Sequence, residues 1–144
     1  MRIAVLADTH DHCPAGLPER LRSADEIWHL GDVCEPALLQ PFAALGPPLR
    51  VVRGNCDWHA GWPEELRCEH FGHRFLLVHV PPARAPAGAQ VILHGHTHVA
   101  RDETDPAGVR WLNPGCISRP RGSPPSFAWL HLRAGRLDWK VVLL

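Results

Sequence analysis

Asp8, Asp32, Asn55 and His79 each close a short apolar run, and they stand 24, 23 and 24 residues apart. The first three runs are RIAVLAD (2–8), EIWHLGD (26–32) and LRVVRGN (49–55). Each reads as a buried strand that ends on a polar motif. Segments 17–23 and 36–45 lie between them with apolar residues at roughly helical spacing, and Pro36 suits a first helical position. Strand, helix, strand, helix, strand predicts parallel pairing through right-handed crossovers.

The pattern changes after Asn55. Segments 65–70 and 74–79 flank Phe71-Gly72-His73 and predict an antiparallel hairpin. Segment 90–93 is a further short strand. Segments 99–102 and 109–112 surround the turn at 105–108, and segments 127–132 and 137–143 surround a last turn at 133–135. The Pro/Ala-rich stretch 81–89 (PPARAPAGA) predicts an irregular connection. No repeat and no interdomain linker is visible. The expectation is one α/β domain over 1–144, with a βαβαβ first half and a mostly antiparallel second half. A chain near this length buries roughly 70% of its unfolded surface, enough for a core without disulfides.

Composition narrows the function. Lys+Arg and Asp+Glu are 15 each, so bulk positive charge cannot drive nucleic-acid binding. The longest stretch free of Asp, Glu, Lys and Arg, 85–100, holds Gln90 and three histidines, so no membrane span is expected. The N-terminus reads as a strand and not as a signal peptide. The five cysteines show no zinc-type pairing, which points to a reducing cytosol.

The chemistry lies in the 11 histidines and their neighbours. Asp8-Thr9-His10, Gly31-Asp32, Gly54-Asn55-Cys56-Asp57, His79 and Gly95-His96-Thr97-His98 all carry metal-ligand residue types. Alternation along an extended chain would put Asp8 and His10 on one side, and likewise His96 and His98. The first three motifs follow the carboxyl ends of predicted parallel strands, where open α/β sheets place ligands. Asp8, His10, Asp32, Asn55, His79, His96 and His98 offer two carboxylates, one amide oxygen and four imidazoles. That mixed set suits Mn, Fe, Zn, Co or Ni better than Ca or Mg. Seven ligands exceed one tetrahedral zinc and fit a metal pair sharing a bridging carboxylate.

These motifs, followed by Asn113-Pro114-Gly115 and Pro120-Arg121-Gly122, resemble the calcineurin-like metallophosphoesterases. The resemblance is to the small bacterial and archaeal phosphodiesterase branch that also includes the retromer subunit Vps29. It implies a four-layer α/β/β/α sandwich. It also implies one metal on Asp8, His10, Asp32 and His98, and a second on Asp32, Asn55, His79 and His96, with Asp32 bridging. Manganese is the expected metal, with iron, nickel or zinc as alternatives. A hydroxide between the metals would attack a small phosphodiester, nucleotides included, in line. Asp32, Asn55 and His98 are the residues expected to carry catalysis, Asn55 as a phosphate contact too. The alternative is a scaffold of the same fold that binds protein partners, as Vps29 does. A phosphomonoesterase fits less well, because many wider-family members have His where Cys56 stands. Val80 replaces the usual Gly after the His79 ligand, and 81–89 is too short for the usual helix, so a cleft open on one side is expected. Self-association is a further expectation at this size.

Other residues stay open between two readings. His12 and His94 adjoin motifs and would either orient ligands or fill structure. His29, His59, His70, His73 and His131 are expected to be structural or superficial. Trp58 and Trp62 would fill the core or rim, or form a stacking wall for a base. Cys13, Cys34, Cys56 and Cys116 lie within three residues of motif residues. They either fit tight loops or expose the site to oxidants and soft metals. Arg119 and Arg121 are either solvated or anchors for a remote phosphate.

Overall fold

The apolar runs form strands, and the strands form two five-stranded sheets. The computed structural model describes residues 1–58 and 61–144; the expectation for His59 lies outside the described residues. The first sheet holds β1 (Arg2–Leu6), β2 (Glu26–His29), β3 (Leu49–Val51), β9 (Ser126–Arg133) and β10 (Arg136–Leu143), in the order β10-β9-β1-β2-β3. The β1–β2 and β2–β3 pairs are parallel as predicted, with Ile3 opposite Glu26 and Ile27 opposite Leu49. The second sheet runs β4-β5-β6-β8-β7, from β4 (Glu65–His70), β5 (His73–Val78), β6 (Val91–Leu93), β7 (Arg101–Thr104) and β8 (Arg110–Asn113).

Strand alternation builds the layers. Ile3, Val5 and Ala7 face inward between the sheets, where they meet Phe75, Leu77, Val91, Leu93 and Leu112. Ala4 and Leu6 face outward and pack with Leu17, Leu21, Leu39 and Phe42 of the crossover segments. The outer face of the second sheet, Leu76, Ile92, Val109 and Trp111, is covered by Ala85 and Ala89 of the irregular 81–89 segment. The sandwich therefore has its helical layer on one side, and a coil stands where a fourth layer of helix would lie.

The second half is mostly antiparallel as expected, through the hairpins β4–β5, β7–β8 and β9–β10, but β6 joins β5 and β8 in parallel, which the sequence pattern does not predict. The connections 79–90 and 94–109 are long enough to return over the sheet, whereas the two-residue turn Phe71-Gly72 forces the hairpin. The helices are also shorter than their periodicity suggested. α1 covers only Leu17–Arg20, and 36–45 splits into a 3-10 turn, Pro36–Leu39, and α2, Gln40–Ala43. Pro36 does open its turn, capped by Glu35 Oε1 accepting the Ala37 N–H at 3.1 Å.

Candidate metal centre

The seven candidate ligands come from the carboxyl ends of five strands, β1, β2, β3, β5 and β6, and converge at one edge of the sandwich. The strands stop before the motifs. Asp8, His10, Asp32, His96 and His98 all have positive φ, between 41° and 66°. These are left-handed positions that non-glycine residues adopt rarely and at a cost. The expected alternation of Asp8 with His10, and of His96 with His98, is therefore wrong as a mechanism. Successive turns, not an extended chain, bring each pair inward.

Backbone hydrogen bonds lock these turns together. Asp8 N–H donates to Gly31 O at 3.0 Å and His10 N–H to Asp32 O at 2.9 Å, joining the first two motifs. Asp57 is fully used by a third: its carboxylate accepts from Asp32 N–H at 2.8 Å, Gly54 N–H at 2.7 Å and Cys34 N–H at 2.7 Å. Gly54 must lack a side chain, because a methyl group there would collide with the backbone N–H and Oδ1 of Asp32. Asn113 Nδ2 donates to Gly95 O at 3.0 Å and Thr97 Oγ1 at 3.1 Å, tying the Asn113-Pro114-Gly115 turn to the last motif.

The side chains meet in two groups about Asp32. On one side His98 Nε2 lies 3.3 Å from Asp8 Oδ1 and 3.2 Å from His10 Nε2, and His10 Nε2 lies 3.7 Å from Asp32 Oδ2. On the other, His79 Nε2 lies 3.4 Å from Asp32 Oδ2 and 3.0 Å from Asn55 Oδ1, and His96 Nδ1 lies 3.0 Å from the same amide oxygen. Asp8, His10, Asp32, His79 and His98 are buried, and Asn55 and His96 are exposed. All seven predicted residues are thus brought together.

This arrangement asks for positive charge. His79 Nδ1–H donates to Leu30 O at 2.8 Å and His98 Nδ1–H to Arg119 O at 2.6 Å, so each neutral ring turns an Nε2 lone pair inward. There the lone pairs face carboxylate and amide oxygens at contact distance, an arrangement held together only by a proton or a metal cation. Burial pushes the Asp8 carboxyl up to about 6, against the lowering effect of His79 and His98. Burial also opposes charge on Asp32, but hydrogen bonds with His79 and the Cys56 N–H outweigh it and hold that carboxyl well below the usual range. His79 is raised despite burial, because Asp32 sits against it. Burial lowers His10 and His96. Two anionic oxygens, three buried imidazoles and an amide oxygen fit divalent transition-metal ions by donor chemistry.

Other predicted residues divide. Arg119 and Arg121 are exposed and line a recess of ≈ 260 Å³ with His10, Asp32, Asn55, Cys56, His96 and His98. A second recess of ≈ 490 Å³ adjoins it at Asn55 and His79, and Arg53, Glu64 and Val80 also line it. Neither tryptophan lines these recesses: Trp62 packs on the helical side of the first sheet, and Trp58 is exposed. His94 is buried and its Nδ1 contacts Gly95 O at 3.0 Å, so it supports the motif backbone; His12 is exposed.

One residue carries a role that the sequence reading does not assign: Asp57 closes a motif, and an Asp two residues after a candidate ligand, in a turn, is the available signal. His29, expected to be structural or superficial, is structural and fully buried under the site. Its Nδ1 accepts the Gly31 N–H at 3.2 Å, so its Nε2–H donates to Thr9 Oγ1 at 3.3 Å, and Thr9 donates on to Asp32 O at 3.4 Å. Burial lowers the His29 pKa to about 4 and keeps the ring neutral.

Residues 1–135 match the family model of the calcineurin-like phosphoesterase superfamily domain. The chain belongs to that superfamily. A probable metallophosphoesterase of Methanothermobacter thermautotrophicus is 30% identical over 162 aligned residues, covering 99% of this chain and 92% of that protein. Among solved structures, Yfce, a phosphoesterase from E. coli, superposes with a TM-score of 0.77 at 25% identity, covering 91% of this chain and 88% of Yfce. Vps29 from Entamoeba histolytica, solved with Zn+2, shares the fold with a TM-score of 0.78 at 20% identity, over 99% of this chain and 98% of Vps29. The family is a metallophosphoesterase family, and no helix among the described residues is long and apolar enough to cross a membrane.

Proposed function

We propose that this protein is a cytosolic, dinuclear metal-dependent phosphodiesterase acting on small phosphodiesters, nucleotides among them. The observation that carries the reading is the place of Asp32. One of its oxygens, Oδ2, faces His10 Nε2 at 3.7 Å and His79 Nε2 at 3.4 Å, from opposite groups of donors. Asp8, His10, Asp32 and His98 would hold one metal, and Asp32, Asn55, His79 and His96 the other. Manganese is the favoured ion, with iron, nickel or zinc as alternatives. Such a pair supplies Lewis-acid charge at phosphorus and lowers the pKa of bound water.

The chain's own residues do the rest. Asp32 and Asp8, fixed by Cys56 N–H at 2.8 Å and His96 N–H at 3.2 Å, keep the donor set preorganised. Asn55 presents its oxygen to His79 and His96 and one amide N–H to Cys56 Sγ at 3.5 Å, which leaves its other N–H to donate to a phosphoryl oxygen. The Arg119 and Arg121 guanidinium groups, in the wall of the smaller recess, attract the anionic ester. His98 is held from both sides of the arginine loop, since Arg121 N–H donates to its carbonyl at 3.3 Å while its ring bonds Arg119 O. Cys56 occupies the position of a general acid in many relatives. A thiol serves poorly there, so esters with good leaving groups are the preferred substrates. The filled donor set supports an enzyme over a partner-binding scaffold of the same fold.

The test is turnover of bis-p-nitrophenyl phosphate with manganese by the wild type and Asp32→Ala. Activity in the wild type that falls at least about a hundredfold in the variant supports the reading. No activity with any of the four metals would overturn it and favour the scaffold.

A further inference from the structure

His10 has two ring nitrogens with different neighbours. Nε2 faces Asp8, Asp32 and His98, whereas Nδ1 lies 3.7 Å from Cys34 Sγ. Cys56 completes a second cluster: one ligand atom each from His10, Cys34 and Cys56 falls within 4.8 Å of the others. Both cysteines are half-buried, so solvent reaches them. Both are also pinned by the carboxylates that organise the metal centre. Cys34, at a left-handed φ of 68°, donates its N–H to Asp57 Oδ1 at 2.7 Å, and Cys56 donates its N–H to Asp32 Oδ1 at 2.8 Å. Asn55 Nδ2 donates to Cys56 Sγ at 3.5 Å.

Two thiols and an imidazole are softer donors than the carboxylate-rich cluster beside them. Thiolates select Zn²⁺, Cd²⁺ and Cu⁺ over Mn²⁺ and Mg²⁺, and two sulfurs with one nitrogen leave a fourth, solvent-facing place in a tetrahedral set. We propose that Cys34, Cys56 and His10 form a separate site for a thiophilic cation, and that this site competes with the metal centre for the His10 ring.

The competition follows from imidazole chemistry. A neutral ring has one lone pair. When Nε2 serves the metal centre, Nδ1 carries the proton and points it at Cys34. A cation bonded to Nδ1 leaves that proton on Nε2, which can then no longer ligate. Each thiol releases its proton to solvent as its sulfur bonds the cation, and no electron is transferred. By linkage, each site weakens the other by the same factor. Protein exposed to a thiophilic cation therefore loses the metal that His10 holds. The competition rests on His10 as a ligand of the proposed centre; the thiolate site does not.

Cadmium is the probe. It is titrated into manganese-loaded protein while the sulfur-to-cadmium charge-transfer absorption and the electron paramagnetic resonance of free aqueous manganese are recorded together. The wild type gives the absorption at one cadmium per chain and releases manganese in step. C34S/C56S gives neither signal at the same cadmium level. C13S/C68S, which carries the same kind of substitution elsewhere, behaves as the wild type. An absorption that survives in C34S/C56S, or cadmium binding that expels no manganese, overturns the proposal. A protein that never takes up manganese fails the proposed function instead, and the absorption of the metal-free wild type against C34S/C56S then decides the thiolate site alone.

Discussion

Asp57 is not among the candidate ligands, yet the backbone N–H groups of Asp32, Gly54 and Cys34 all end on its carboxylate. A buried donor left without an acceptor costs about 1–3 kcal/mol. Asp57→Ala therefore destabilises the fold by about 3 kcal/mol or more in urea unfolding, whereas Asp57→Asn, which keeps one acceptor oxygen, loses less. His94 shows a different residue-scale effect. Burial lowers its pKa from 6.5 to about 4, so below 6.5 the unfolded chain binds a proton that the folded chain refuses. Its contribution falls as pH drops from about 6.5 to about 4, by up to about 1.4 kcal/mol per pH unit. Asp8, raised to about 6, acts in the opposite direction, so the comparison with His94→Gln isolates the histidine. Urea midpoints of the metal-free proteins should fall less steeply with acid in His94→Gln; equal slopes would contradict the buried neutral ring. At this scale the candidate ligands were legible in the residues themselves. The left-handed backbone of Asp8, His10, Asp32, His96 and His98 was not, because Asp and His, although enriched at positive φ, adopt it too rarely for the residue type to mark it, and the motifs looked like plain strand ends.

Among the elements, the strands were readable because burial on both faces leaves continuous apolar runs such as residues 3–7. The helices were readable only in part. Segments 17–23 and 36–45 have apolar periodicity because they pack on Ala4 and Leu6, but Pro41, inside the second segment, has no N–H to donate back along a continuous helix, and the segment divides into two pieces of about a turn each. Parallel pairing in the second sheet was missed because 81–89 has no helical pattern to announce a crossover. The same segment sets an ordering of local stability. β1 is central in its sheet and Ile3 to Leu6 are fully buried, while 81–89 is half-buried to exposed coil over a thin apolar layer. Hydrogen exchange should find the amides of 3–6 opening only with global unfolding, and those of 81–89 exchanging orders of magnitude faster. Slow exchange across 81–89 would mean that this face is covered by more than the coil.

For the whole molecule, two sheets sharing one apolar interior aim five strand ends at the same edge, and the centre forms where they meet. The even spacing of Asp8, Asp32 and Asn55 expressed that geometry in advance, since one crossover's length separates successive strand ends of the first sheet, whereas the hairpin β4–β5 fills the interval to His79. What spacing could not express is that buried carboxylates and inward lone pairs leave the site short of positive charge. On the proposed function, Asp32 joins two metal positions into one catalytic unit. That bridge is open to direct measurement through activity on bis-p-nitrophenyl phosphate against bound manganese per chain, with metal counted by mass spectrometry on the same samples. Turnover should stay near background until the second ion binds, and Asp32→Asn should never bind both. Full turnover at a single ion per chain, or two ions retained by Asp32→Asn with activity intact, would contradict it.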